Sequence, residues 1–179
     1  MTTAASGGIT KAEERIRDML AGCKTFQTWT GESDAAGAKT HIYYDAVPLP
    51  NMKDDSTSLA YLVSLRPFAL IWTSETSGYA YNELMGGSGI IHIRFEGNTP
   101  PATSTDWEEC DRLFKIKIGN IIQSTDSSNP GLAELSKTGT YTQITSITLD
   151  ALYRSDEEEW PTYGDAQRAE VSVQWGVTR

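Results

Sequence analysis

Two cysteines in a chain of 179 residues are too few for a disulfide framework. Cys23 and Cys110 both fall on the apolar side of helical patterns, so two buried, reduced thiols are expected instead of a bridge. Histidine is as scarce. His41 and His92 lie far in sequence from each other and from both cysteines, which leaves no close ligand pair from which to build a metal centre. No apolar run approaches the roughly 20 residues needed to cross a bilayer, so no membrane association is expected. The first residues carry no charged stretch leading into an apolar one, and a secretory leader is not expected. Basic residues are in deficit: 15 Lys plus Arg against 24 Asp plus Glu give a net charge of −9. Tight binding of nucleic acid draws on clustered Lys and Arg, so this balance argues against it. What remains, 39% hydrophobic and 22% charged residues, is ordinary for a globular chain the length of one domain.

Residues 1–8 (MTTAASGG) are small and polar and read as a flexible tail, leaving 9–179 as a single domain. From Lys11 to Gly22, Ala12, Ile16, Met19, Leu20 and Cys23 recur at helical spacing while Glu13, Glu14, Arg17 and Asp18 face water. Thr25 to Trp29 reads as a short strand. Gly31 to Ser58 is rich in Gly, Ala, Asp, Pro and Ser, broken by His41-Ile42-Tyr43-Tyr44, which can pair as one strand. A connection this long reads as a partner-facing loop.

The second half is more regular. Phe68 to Thr73 is a compact apolar run, read as a strand buried on both faces. Ile90 to Glu96 alternates, with Ile91, Ile93 and Phe95 toward a core and His92, Arg94 and Glu96 toward water. The two are expected to pair antiparallel across a protruding connection that carries Tyr79 and Tyr81. Thr105 and Glu108 fit a capping box for a helix on which Trp107, Cys110, Phe114, Ile118 and Ile121 form a stripe. Leu113, Ile116 and Ile122 widen that stripe, predicting a helix packed over a broad face. Asn129-Pro130 reads as a cap and first turn of a brief helix ending by Gly139. A terminal hairpin follows. Ile147, Leu149, Ala151 and Tyr153 alternate on one arm, and Val171, Val173, Trp175 and Val177 on the other. Between the arms, Arg154 to Ala169 is acidic at Asp156, Glu157, Glu158 and Glu159 and carries Trp160, Pro161 and Tyr163, so it should project. The sum is an α+β fold: one antiparallel sheet, helices packed on one face, and long protruding loops.

Catalytic chemistry finds little support. Gly86-Gly87-Ser88-Gly89 resembles a nucleophile elbow but precedes a strand, whereas the elbow links strand to helix. His92, on a polar strand face, reads as a surface or interface side chain. The run Asp156 to Glu159 lacks the spaced Asp/Asn-Gly pattern of a calcium loop. No cofactor or metal is expected, and no enzymatic activity. The aromatics are more telling. Trp29, Tyr43, Tyr44, Tyr79, Tyr81, Trp160 and Tyr163 fall in or beside loops, and a set of large aromatics on several loops suits protein–protein contact. Tyr43, Tyr44, Tyr79, Tyr81, Asp156, Glu157, Glu158, Glu159, Trp160 and Tyr163 are the candidate interface residues.

The order of elements resembles the tail terminators of long-tailed bacteriophages, the lambda-type minor tail protein U family. The most specific stretch is LDALYRSDEEEWPTYGDAQRAEVSVQWGV, Leu149 to Val177: a strand ending in Tyr-Arg, acidic residues, a Trp, then an alternating strand. Ile90 to Glu96 followed by Trp107 to Ile122 matches in order and spacing. Gly31 to Ser58 departs from it, being longer. The resemblance implies a virion structural protein assembled in the host cytoplasm, a homohexameric ring seated on the last ring of tail-tube protein. It would end tube polymerisation and meet the head connector, with DNA passing through the lumen without specific binding. The acidic loop would then rim that passage and repel the genome, or meet the tube or connector. Other readings are another neck component (head-closure or tail-completion protein), a small carbohydrate-binding module, or a hydrolase.

Overall fold

A computed structural model describes residues 9–46, 61, 63–77, 88–97, 107–124, 126, 128–137, 142–154 and 167–177. The elements run α1 (Ile9–Gly22), α2 (Lys24–Thr30), α3 (Ala35–Lys39), β1 (Ile42–Tyr44), β2 (Phe68–Ser77), β3 (Ser88–Glu96), α4 (Trp107–Gln123), a 3-10 helix (Leu132–Lys137), β4 (Thr142–Arg154) and β5 (Gln167–Val177). The fold is α+β, built on one five-stranded sheet in the order β1-β2-β3-β5-β4. The three pairings β2–β3, β3–β5 and β5–β4 are antiparallel, as expected. β1 departs from the expectation and joins β2 in parallel. Residues 45–67 lie between these two strands, long enough for the crossover that parallel pairing requires. The Ala69 N–H donates to the His41 carbonyl and the Asp45 N–H to the Ile71 carbonyl, pinning both ends of the short strand.

Alternation decides which side of the sheet is covered. Ala69 and Ile71, Ile91, Ile93 and Phe95, and Ala169, Val171, Val173 and Trp175 are buried in one cluster with α1, α2 and α4. The helices therefore cover one face. β2 is not buried on both faces as its apolar composition suggested, because Leu70 and Trp72 are only half-buried on the opposite side. Along the terminal hairpin, register shifts between Ile144 and Ser146 and between Leu149 and Ala151 interrupt the period of two. Leu152 consequently stands opposite Ala169, and Ala151 opposite Glu170, so the four-residue alternation from Ile147 to Tyr153 does not persist along the strand. The strands also reach further than expected, with Arg154 in β4 and Gln167, Arg168 and Ala169 in β5.

The largest revision concerns Thr25 to Trp29, which is helix and not strand. Its composition, β-branched and aromatic, favours a strand, and tertiary contacts override it. Cys23 is extended and holds the N-cap position without a side-chain cap. Asn129 supplies one from afar: its Oδ1 accepts from the Thr25 N–H at 3.3 Å, and its Nδ2 donates to Thr25 Oγ1 at 2.9 Å. Gly31, at φ 81°, closes the helix in the left-handed conformation, and the Glu32 N–H reaches back to the Gln27 carbonyl. Asn129 thus caps α2 and not a helix of its own; only the 3-10 turn follows it. Replacing Asn129 with Ala should cost about 1 kcal/mol, a typical cap loss, measured by urea denaturation.

Part of the presumed Gly31–Ser58 loop is also ordered structure. Asp34 caps α3 by accepting from the Gly37 N–H at 2.8 Å, and Ala38 is buried in the core. Residues 1–8, the remainder of that loop at 47–58, the Thr105–Glu108 capping box at its Thr105 end and the acidic connection at 155–166 lie outside the described residues. Both cysteines are free thiols; Cys23 is buried and Cys110 half-buried. Among the described residues, no helix is long and apolar enough to cross a membrane.

Candidate functional site

The side of the sheet away from the helices carries a polar array assembled by register. His92 stands opposite Trp72 on β2 and Ser172 on β5, and Arg94 stands opposite Glu170. The His92 imidazole stacks on the Trp72 indole at 5.2 Å and 17°. The Arg94 guanidinium lies 5.5 Å from the centre of the same indole and is bound to Glu170 at 2.8–2.9 Å. Ser74 Oγ is 2.6 Å from His92 Nε2, and Ser172 Oγ 3.3 Å from Nδ1. All of these side chains are half-buried or exposed. The result is a flat surface of aromatic plates with mixed, mutually satisfied charges, a composition suited to protein contact.

Ser74 and His92 are within the distance at which a hydroxyl nucleophile meets its base. The second imidazole nitrogen faces a hydroxyl, however, and not the carboxylate that would stabilise an imidazolium. The guanidinium over the shared indole adds positive charge beside it. This arrangement orients the ring more than it activates the serine.

At one end of the same face the array becomes buried. Arg66, which precedes β2, donates from Nε and Nη2 to Glu96 Oε1 at 2.9 and 2.6 Å, and Arg168 Nε lies 3.4 Å from Glu96 Oε2. Arg66, Glu96 and Arg168 are each under a tenth exposed. Glu96 was expected to face water with His92 and Arg94. It lies on their side of the sheet but under Arg66, and Phe68 beside it is buried too.

The candidate aromatics fare differently. Tyr43 and Tyr44 lie in β1, half-buried. The Tyr43 ring meets Phe68 edge-on at 5.7 Å. Tyr44 packs against the core, receives the Arg17 guanidinium over its ring at 5.5 Å, and its hydroxyl lies 3.5 Å from the Glu13 carbonyl. Burial pushes both phenols upward in pKa, so they stay neutral. Trp29 is a packing residue on α2, in ring contact with Phe26, Phe95 and Phe114. Tyr79, Tyr81, Asp156, Glu157, Glu158, Glu159, Trp160 and Tyr163 lie outside the described residues. Trp72, Arg94, Glu170 and the Arg66–Glu96–Arg168 cluster were missed in sequence. Alternation places Arg94 and Glu96 on one face, but only strand pairing reveals which residues they meet.

Beside Tyr44, the Thr73 hydroxyl donates to Glu13 Oε1 at 2.8 Å. Burial pushes the Glu13 carboxyl above its ordinary value, with the Thr73 bond opposing and the Asp45 charge adding. A carboxyl raised in the folded state contributes stability below its unfolded pKa and loses it as pH rises through the folded value. Glu13→Gln keeps the acceptor and removes the charge. It should raise Tm slightly at neutral pH, and the gap over wild type should close by about pH 4 in a thermal scan across pH.

The sheet also has two outer strands. β1 is three residues long, whereas β4 runs for 13. Among the described residues β4 pairs with no strand but β5, and the 3-10 helix Leu132–Lys137 packs against it. No group of three or more metal-ligating side chains occurs among the described residues. The chain matches no protein-family model and none of the curated proteins.

Proposed function

We propose that this chain is a virion structural subunit of a long-tailed bacteriophage, a tail terminator that forms a homo-oligomeric ring, six-fold in the family it resembles. It caps the tail tube, ends its polymerisation and meets the head connector. The observation that carries this reading is the 13-residue outer strand β4. A long strand at the end of the described sheet is where backbone donors and acceptors can meet a neighbouring chain, and monomeric proteins usually keep such outer strands short. A sheet whose described helices cover one face, with a Trp-His-Arg array on the other, adds a second contact surface. Its net charge of −9 suits a passage through which DNA moves without being held.

The reading predicts rings of uniform diameter for the purified protein in negative-stain micrographs. It also predicts overlong tails or runaway tube when the gene is disrupted in its phage. Finished tails of normal length beside heads that leak DNA would reassign the chain to head closure. A monomer whose loss leaves particles unchanged would overturn the assembly role.

A further inference from the structure

His41 joins three separated points of the chain. Its backbone carbonyl accepts from the Ala69 N–H at 2.9 Å, where β1 enters the sheet beside β2. Its ring reaches two further partners: Nδ1 lies 2.9 Å from the Pro67 carbonyl oxygen, and Nε2 lies 3.2 Å from Glu32 Oε1. Glu32 belongs to the turn that follows Gly31 at the end of α2, and Pro67 leads into β2. The imidazole is 22% exposed and the Glu32 side chain 34%, so the contact is partly open to water. The Glu32 carboxylate reaches the ring by lying over Gly37 of α3. A Cβ at position 37 would stand 2.8 Å from Glu32 Cδ and collide with Oε2.

Both partners of the ring are acceptors. A carbonyl oxygen has no proton to give, and neither has an ionised carboxylate. A neutral imidazole donates from one nitrogen only, so it satisfies Pro67 or Glu32 and turns a lone pair toward the other. The two bonds together require the imidazolium. We propose that His41 is a proton-operated latch, closed as the imidazolium, that fastens the α2–α3 turn to the entries of β1 and β2 and releases Glu32 when the ring loses a proton. Neighbouring charges have partners of their own. Asp34 Oδ1 accepts from the Gly37 N–H, Lys39 is bound to Asp18 of α1 at 2.8 Å, and Arg66, beside Pro67, turns to Glu96. Residues 68–72 of β2 carry no charge, Tyr43 of β1 packs on Phe68, and Lys24 stands at the far end of α2. Glu32 is therefore the charge that the ring proton answers. The latch contributes stability while the ring is protonated and loses it as rising pH removes that proton. It makes no use of the assembly reading, and either can fail without the other.

Amide hydrogen exchange, read by mass spectrometry on the full-length protein, tests the latch. The peptide spanning residues 33–42 contains the Ala38, Thr40 and His41 amides, bonded to the Asp34, Gly37 and Ala38 carbonyls. Its protection, corrected for the intrinsic pH dependence of exchange, should fall about fivefold or more between about pH 5.5 and about pH 8.5, which spans the ordinary imidazole range. That size reflects a charge-assisted bond discounted for its exposure. A β3 peptide serves as the reference for global stability. In Glu32→Gln the amide accepts from a protonated Nε2 or donates to a bare one, so protection should hold across the range. Gly37→Ala puts a methyl group where the carboxylate lies. Alanine would tighten α3 by helix propensity alone, yet protection at the lower pH should drop to the wild-type level at the higher one. Wild-type protection that does not change with pH would overturn the proposal. So would a fall that persists in Glu32→Gln, which would put the titrating group elsewhere, or a Gly37→Ala variant protected as well as wild type at the lower pH.

Discussion

Glu96→Gln is expected to cost about 3–5 kcal/mol of folding stability, a large part of what a domain of this size possesses. Glu96 is 3% exposed and holds Arg66 and Arg168, which are 6% and 3% exposed. The amide keeps the shape and removes the charge. Two guanidinium groups then remain out of water without the carboxylate between them. Denaturation in urea should show a lower midpoint with an unchanged slope. The loss should shrink when Arg66 is replaced as well: Glu96→Gln with Arg66→Met should cost less than the sum of the two single changes, because both remove the same buried Arg66–Glu96 ion pair. Additive losses would mean that the cluster is not acting as a unit.

Phe95→Ala should have a comparable effect, about 3–5 kcal/mol, through packing alone. Phe95 is fully buried on β3, and its ring lies 6.5 Å from Phe26 and 6.1 Å from Trp29, which in turn lies 6.1 Å from Phe114. These four rings join α2 and α4 to the sheet. Truncation opens a cavity at their centre, and the same urea titration measures it. Unlike the Glu96 change, this loss should be indifferent to salt, since no charge is involved.

The elements legible in sequence are those whose burial is decided by local periodicity. Ile91, Ile93 and Phe95, or Val171, Val173 and Trp175, announce their strands because every second residue meets the same core. α1 and α4 are legible for the same reason at helical spacing. What periodicity cannot convey is what lies opposite. Glu96 alternates with Phe95 as a surface residue would, and only its pairing with Phe68 and Arg168, and the approach of Arg66, make it buried. The breadth of the α4 stripe misled in the other direction, since Leu113 and Ile116 extend an apolar pattern that the fold does not use. Composition also favoured contact roles for Tyr44 and Trp29, which spend much of their surface on α1 and the ring cluster. The Trp72–His92–Arg94 array was half visible: its β3 members lay on a recognised polar face, while Trp72 was hidden in an apolar run.

The bond from Asn129 to Thr25 spans 104 positions of chain. Residues 24–30 therefore receive their N-terminal cap from a side chain synthesised long after them, and until it arrives only the local Gly31 stop and neighbouring bonds oppose their preference for extended backbone. A fragment ending before residue 129 should leave this stretch non-helical by circular dichroism, and α2 should be among the last pieces to settle as the chain leaves the ribosome. The early half of the protein is in this sense conformationally undecided until the late half exists.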